Sequence, residues 1–277
     1  MGKKQSEPRT RVITGIVIAI IVCIVLLFSH LPIVIHCATA LLCFCSVWEL
    51  YHAIKGNTRD WTIALFLLIA AAVIGIPITS YSAAISMVFP FGILLSINLV
   101  FQVGKKEKLH TETLLCMTVL IVIFFRAIPE IRNLDKGFYL LTATILVGCI
   151  TDIGAYTVGR KYGKRKLAPK ISPNKTWEGA IGGTLTAFVV MMSISSICER
   201  LGVLSADEAL LTSYILWASI AGQFGDLTMS SIKRISGVKD YANFLPGHGG
   251  LLDRFDSLMF IAPFTYLFCQ YCGSFYF

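Results

Sequence analysis

Val12-Ile-Thr-Gly-Ile-Val-Ile-Ala-Ile-Ile-Val-Cys-Ile-Val-Leu-Leu-Phe28 is the stretch that decides the fold. It carries no charge over 17 residues, and as a helix it is about 25 Å long, close to the thickness of a bilayer's hydrocarbon core. A secretory leader with Ala38-Thr39-Ala40 as its cleavage site would need a much shorter apolar region, so the stretch reads as a retained first span. Working outward, comparable runs recur at 31–53, 61–80, 83–103, 112–130, 138–158, 177–197, 210–230 and 257–275. The composition agrees. The 277 residues are 56% hydrophobic and 14% charged, where a water-soluble domain carries about 25% charged residues to cover its core. The expectation is an all-α, polytopic integral membrane protein of about nine transmembrane helices.

Orientation follows from the basic residues. With the N-terminus in the cytoplasm, the inner segments hold 20 of the 24 Lys and Arg residues, and only Arg126, Arg132, Lys136 and Arg200 fall outside. Omitting one helix would scramble that bias, so the count favours nine spans with the C-terminus outside. The net charge of +8 is therefore distributed as membrane topology requires, and no nucleic-acid partner is implied. Asn174-Lys175-Thr176 matches a glycosylation pattern, but on the cytoplasmic side it would stay unmodified. The nine cysteines lie mostly inside apolar runs without metal-ligand spacing, and read as small buried hydrophobes.

The chain divides in kind near residue 138. Residues 1–137 read as a transmembrane scaffold of about five helices, with Glu49 the main acidic residue near a span. Its histidines, His30, His36, His52 and His110, are scattered and read as interfacial or packing residues. Residues 138–277 read as a catalytic region of about four helices with cytoplasmic loops at 159–176 and 231–256. Asp152-Ile-Gly-Ala-Tyr156 places an acid deep in a span, where it needs a polar cavity or a partner. Gly154 and Ala155 would admit a second backbone. The loop from Gly159 to Gly179 carries seven cations; Lys164, Arg165 and Lys166 suit anionic headgroups. Ser172-Pro-Asn-Lys-Thr176 differs, because its hydroxyls and cation precede a helix beginning near Trp177, an arrangement suited to phosphate. Gly179-Ala-Ile-Gly-Gly183 is a small-residue packing face.

In Gly225-Asp-Leu-Thr-Met-Ser-Ser-Ile-Lys-Arg234, the residues Asp226, Ser230 and Lys233 recur at i, i+4 and i+7, on one helix face. Asp253 and Asp256 open the next helix three apart. Two helices then present carboxylates to one point, with Lys233, Arg234, Lys239 and Arg254 around it. Hard oxygens beside cations are what a Mg²⁺–nucleotide phosphate site requires. The connecting Pro246-Gly-His-Gly-Gly250 allows backbone to approach phosphate. Neither Asp226 nor Asp253 has an obvious fixed partner in the sequence.

The run Ser230-Ser-Ile-Lys-Arg, Lys239-Asp240 and Leu245-Pro-Gly-His-Gly-Gly-Leu-Leu-Asp-Arg-Phe-Asp256 resembles the signature of the CDP-diacylglycerol synthase (phosphatidate cytidylyltransferase) family. Ser172-Pro-Asn-Lys-Thr-Trp-Glu-Gly179 and Asp152-Ile-Gly-Ala-Tyr156 are similar to that family too, so the resemblance covers roughly residues 150–258. Where many members carry Phe-Glu, this chain has Thr228-Met229, which gives position 229 no essential role. The resemblance implies transfer of CMP from CTP to phosphatidate in phospholipid biosynthesis, in the cell membrane with the active site facing the cytoplasm. It implies Mg²⁺ on Asp226 and Asp253 with Asp256 behind them, a monovalent cation being an open addition. It implies that Lys175, Lys233, Arg234 and Arg254 hold phosphates and that His248 donates to phosphate or pyrophosphate. Asp152, Ser172, Asn174, Thr176, Lys239 and Asp240 complete the substrate-binding set. A CTP-dependent polyprenol or phytol kinase and, less well, an ion-coupled transporter are the rival readings; no inverted repeat supports the transporter. The oligomeric state stays open, a homodimer included.

Overall fold

A computed structural model describes residues 8–55, 81–103, 111–242 and 249–276. Among these the chain is mostly helical: α1 (Pro8–Leu27), α2 (Pro32–Lys55), α3 (Tyr81–Gln102), α4 (Thr111–Arg132), α5 (Gly137–Tyr162), α6 (Trp177–Arg200), α7 (Glu208–Ile235) and α8 (Leu252–Tyr271). The expected spans that fall on described residues each coincide with one of these helices; the span expected at 61–80 lies outside them. Four helical stretches among the described residues are long and apolar enough to cross a membrane: Val12–His30, Pro32–Ala53, Gly137–Tyr162 and Trp177–Arg200. α7 and α8 carry the acids and cations of the C-terminal cluster, which is why composition marks them less clearly.

One departure from an all-helical chain stands between α5 and α6. β1 (Lys166–Ala168) and β2 (Ser172–Thr176) form an antiparallel hairpin, pairing Lys166 with Thr176 and Ala168 with Ser172 across an irregular register. The loop expected over 159–176 is shorter than the sequence suggested, because α5 continues to Tyr162 and the hairpin occupies most of the remainder. Glu178 closes the hairpin's base, accepting from the amides of Lys164 at 3.0 Å and Arg165 at 3.2 Å. The next loop is shortened too: α7 runs on to Ile235, so Lys233 and Arg234 sit on helix.

α5 and α6 pack at backbone distance. A Cβ added at Gly154 would lie 2.7 Å from Thr186 Cβ, and one at Gly183 would lie 2.6 Å from Thr151 O. This is the small-residue packing that lets helices associate in lipid, where apolar side chains gain little by leaving the solvent. Polar pairs join the other seams. Thr151 donates to Ser219 across α5 and α7 at 3.0 Å, and the fully buried Tyr214 shares a 2.9 Å hydrogen bond with Thr265 of α8. By contrast α1 exposes Val12, Ile16, Ile20, Ile24 and Leu27, the surface expected of a helix against acyl chains. The arrangement brings the C-terminal halves of α5 and α7 and the N-terminal halves of α6 and α8 to the same end of the bundle.

Candidate active site

At that end a polar cavity of about 280 Å³ is lined by Asp152, Asp226, Lys233, Asp240, Asp253, Arg254 and Asp256. Residues 104 positions apart in the chain thus meet at one place, drawn from α5, α7, α8 and the loop before α8. A second cavity, about 220 Å³, lies beside it and shares Asp152 and Asp226; Asn174, Lys175, Thr176 and Gln223 bring polar groups to walls of Ala155, Tyr156, Leu167 and Ala180. Five aspartates face the first cavity with two cations, so it is a negative, hard-oxygen site.

The acids that seemed partnerless in the sequence each meet a lysine. Lys175 Nζ lies 2.5 Å from Asp226 Oδ2 in an ion pair whose side chains are each about a quarter exposed, the Nζ itself being buried. Ser230 donates to the other Asp226 oxygen at 3.3 Å. Lys233 does share a helix face with Asp226, but it reaches across to α8 and donates to Asp253 Oδ1 at 2.6 Å, with side chains 10% and 4% exposed. Asp253 Oδ2 accepts from Tyr241 N at 3.1 Å and Gly250 N at 2.9 Å. Both Asp253 oxygens are therefore committed, one to a cation and one to the backbone of the loop that precedes its helix. Gly249, at φ +83°, adopts a left-handed conformation that favours glycine, and it passes close to that same oxygen.

Other members of the expected set take different places. Arg234 donates to Ile171 O at 2.9 Å and Val238 O at 3.2 Å, so it fastens the hairpin to the end of α7 and lines neither cavity. Thr176 caps α6, accepting from Gly179 N at 3.1 Å, while Trp177 N donates to Arg165 O at 3.0 Å. Two amides of the first turn are thus already used, and the helix end offers phosphate fewer donors than its sequence promised. Ser172 heads β2 and Lys239 is exposed; neither lines the two cavities. Asp256 is buried, with Oδ1 accepting from Ser257 N at 2.8 Å. Asp152 lies against Ser257, which donates to it at 3.4 Å. His248 lies outside the described residues.

Two residues at the site escaped sequence reasoning. Tyr241 is buried, donates its hydroxyl to Met229 O at 2.8 Å and places its ring 5.3 Å from Lys233 Nζ. Burial, reinforced by the Asp253 and Asp256 charges, holds its phenol protonated well above the usual tyrosine range. Met229 is itself fully buried, consistent with a packing position. Glu49, from the half of the chain read as scaffold, accepts from Leu251 N at 2.7 Å and Leu252 N at 2.8 Å. Its only sequence signal was a lone acid near the end of a span.

A sequence model of the cytidylyltransferase family matches residues 9–272. The chain belongs to the cytidylyltransferase family. It is 47% identical over 143 residues to the phosphatidate cytidylyltransferase of Bacillus subtilis, a match covering 51% of this chain and 52% of that protein. The phosphatidate cytidylyltransferase of Staphylococcus aureus is 43% identical over 129 residues, 47% of this chain and 48% of the relative. An uncharacterised Escherichia coli protein, YnbB, is 42% identical over 140 residues, 50% of this chain and 45% of its own. The chain spans about half the length of the curated relatives it matches.

Proposed function

We propose that this cytidylyltransferase-family chain transfers CMP from CTP to phosphatidate, forming CDP-diacylglycerol and pyrophosphate. The observation that carries the reading is the convergence of Asp152, Asp226, Asp253 and Asp256 with Lys175, Lys233 and Arg254 on two adjoining cavities. A phosphate oxygen of phosphatidate attacks the α-phosphorus of CTP. The new P–O–P bond forms as the bond from the α-phosphorus to its β-bridging oxygen breaks, and that electron pair leaves with pyrophosphate. A phosphomonoester is already anionic near neutral pH, so no side chain has to remove a proton. The difficulty is to bring two polyanions together, and catalysis is positioning and charge neutralisation.

Lys175 lines the second cavity and pairs with Asp226, which both cavities share, so it would meet one phosphate; Lys233 and Arg254, which line the polar cavity, would meet others. Carboxylate oxygens are the donors Mg²⁺ takes: Asp226 and Asp253 would hold it with Asp256 behind them, once Lys233 turned from Asp253 to a phosphate, although among the described residues no three acids stand together as a ready metal-ligand group. When bound, the ion would neutralise charge on the transferring phosphoryl oxygens. The 20-to-4 distribution of basic residues supports nine spans, a cytoplasmic N-terminus and a site opening to the cytoplasm in the cell membrane. The test is purified protein with phosphatidate, α-labelled CTP and Mg²⁺. Label entering lipid with release of pyrophosphate is expected; release of CDP with γ-phosphoryl transfer would replace this reading with a lipid kinase.

A further inference from the structure

α8 begins at a residue unable to cap it. Its N-cap position is Leu251, which has no side-chain oxygen, and its first-turn amides would be orphaned at a partly buried helix end. The missing cap comes from about 200 residues away. Both carboxylate oxygens of Glu49, a side chain 1% exposed, accept from Leu251 N and Leu252 N, one oxygen to each amide. Glycine at the preceding residue makes room for this approach, because a Cβ at Gly250 would run into the Glu49 carboxylate and force it to shift. Gly250 is not at positive φ, so a side chain there would disturb the Glu49 contact and not the backbone conformation.

The position is well supported. Ser46, Val47 and Leu50 beside Glu49 on α2 are all buried, so the carboxylate is held on a packed, rigid element. One residue beyond the amides it holds stands Asp253, followed by Arg254 and Asp256, which line the polar cavity. Moving the start of α8 would move all three together. A carboxylate at a helix N-terminus is also favoured by the helix dipole.

We infer that Glu49 is a positioning residue for the proposed cytidylyl transfer: an α2 carboxylate that caps α8 and sets the placement of Asp253, Arg254 and Asp256. The inference rests on the proposed function, but its geometry can be tested separately. In the full chain in nanodiscs, Glu49→Gln replaces one acceptor with an amide NH₂ that faces a backbone N–H. It should lower kcat about tenfold or more, since displacement of about 1 Å at a reacting centre has effects of this order. KM for CTP and for phosphatidate should stay within about twofold. Hydrogen exchange over residues 249–256 should speed up, while exchange over α5 and α6 is unchanged. Gly250→Ala should reproduce these effects, yet add nothing in a Glu49→Ala background, where its new methyl meets no carboxylate. The inference is overturned by a Glu49→Gln protein with unaltered kcat and unaltered local exchange. It is overturned equally if activity falls only in proportion to the folded fraction, or if Gly250→Ala costs the same with and without Glu49. Wild-type protein that makes no CDP-diacylglycerol would defeat the proposed function instead, leaving the exchange comparison to decide the cap.

Discussion

Asp226 and Asp253 were alike in the sequence, and their surroundings now separate them. Asp226 pairs with Lys175, whose Nζ is buried although both side chains are about a quarter exposed, so this pair contributes less than a nearly dry one. Asp253 holds Lys233 in a nearly dry pair and anchors two backbone amides besides. Asp226→Asn should therefore lose nearly all CDP-diacylglycerol formation with only a small drop in melting temperature. Asp253→Asn should lose activity and also melt earlier, by an amount corresponding to about 3 kcal/mol, because it leaves a buried ammonium unpaired. Activity assays paired with thermal denaturation in detergent check both, and equal melting temperatures would show that the Lys233 pair is not structurally important. The same contrast applies to the cations. Lys175→Ala should cut turnover about 100-fold, the scale of losing one preorganised charge donor. Lys164→Ala and Lys166→Ala remove only surface attraction and should cost about fivefold or less. Similar modest losses at all three positions would take Lys175 out of the site.

Among the elements, the α5–hairpin–α6 unit positions Lys175 and Asp152 relative to one another. Its stability depends on backbone proximity at Gly154, Gly179 and Gly183 and on the Thr176 cap. Thr176→Ala removes one capping acceptor and should destabilise by about 1 kcal/mol, with a modest loss of activity. Gly183→Leu has no space, since even a Cβ would sit 2.6 Å from Thr151 O. It should separate α5 from α6 and abolish activity through misfolding, visible as a broadened gel-filtration profile. A Gly183→Leu protein that is monodisperse and active would show that the close approach is not needed. Arg234 belongs to this scale as well: a sequence motif placed it among phosphate ligands, whereas its two carbonyl bonds make it the bolt between hairpin and α7.

For the molecule as a whole, Glu49 links the segment read from sequence as scaffold to the start of α8 in the segment read as catalytic, which is the contact the proposed positioning role depends on. The proposed orientation is tested by single cysteines at Arg165 and Asp207 in a background without native thiols. Arg165 precedes the hairpin and Asp207 caps α7 at its other end, accepting from Ala209 and Leu210 amides at 3.0 Å each. An impermeant thiol reagent should reach the cysteine at 207 from outside intact cells and the one at 165 only after permeabilisation. Labelling of both from outside would refute the nine-span topology.

The sequence by itself determined where the described helices run, because a bilayer requires about 20 apolar residues per span and charged or proline-containing breaks between them. It also determined that α6 starts at Trp177 and that Asp226, Ser230 and Lys233 share a face, since capping and helical periodicity are local properties. It could not say which faces meet. In lipid both the packed and the solvent-facing sides of a helix are apolar, so the periodic pattern that identifies a buried face in water is largely lost. Only the tertiary structure decided that Lys233 turns to Asp253, that Lys175 turns to Asp226, that Arg234 serves the hairpin and that Asp152 joins their cavity. Only it revealed Glu49 as the cap of α8. Each of these pairings depends on the rotation and separation of packed helices, which are set by contacts between residues tens to hundreds of positions apart in the chain.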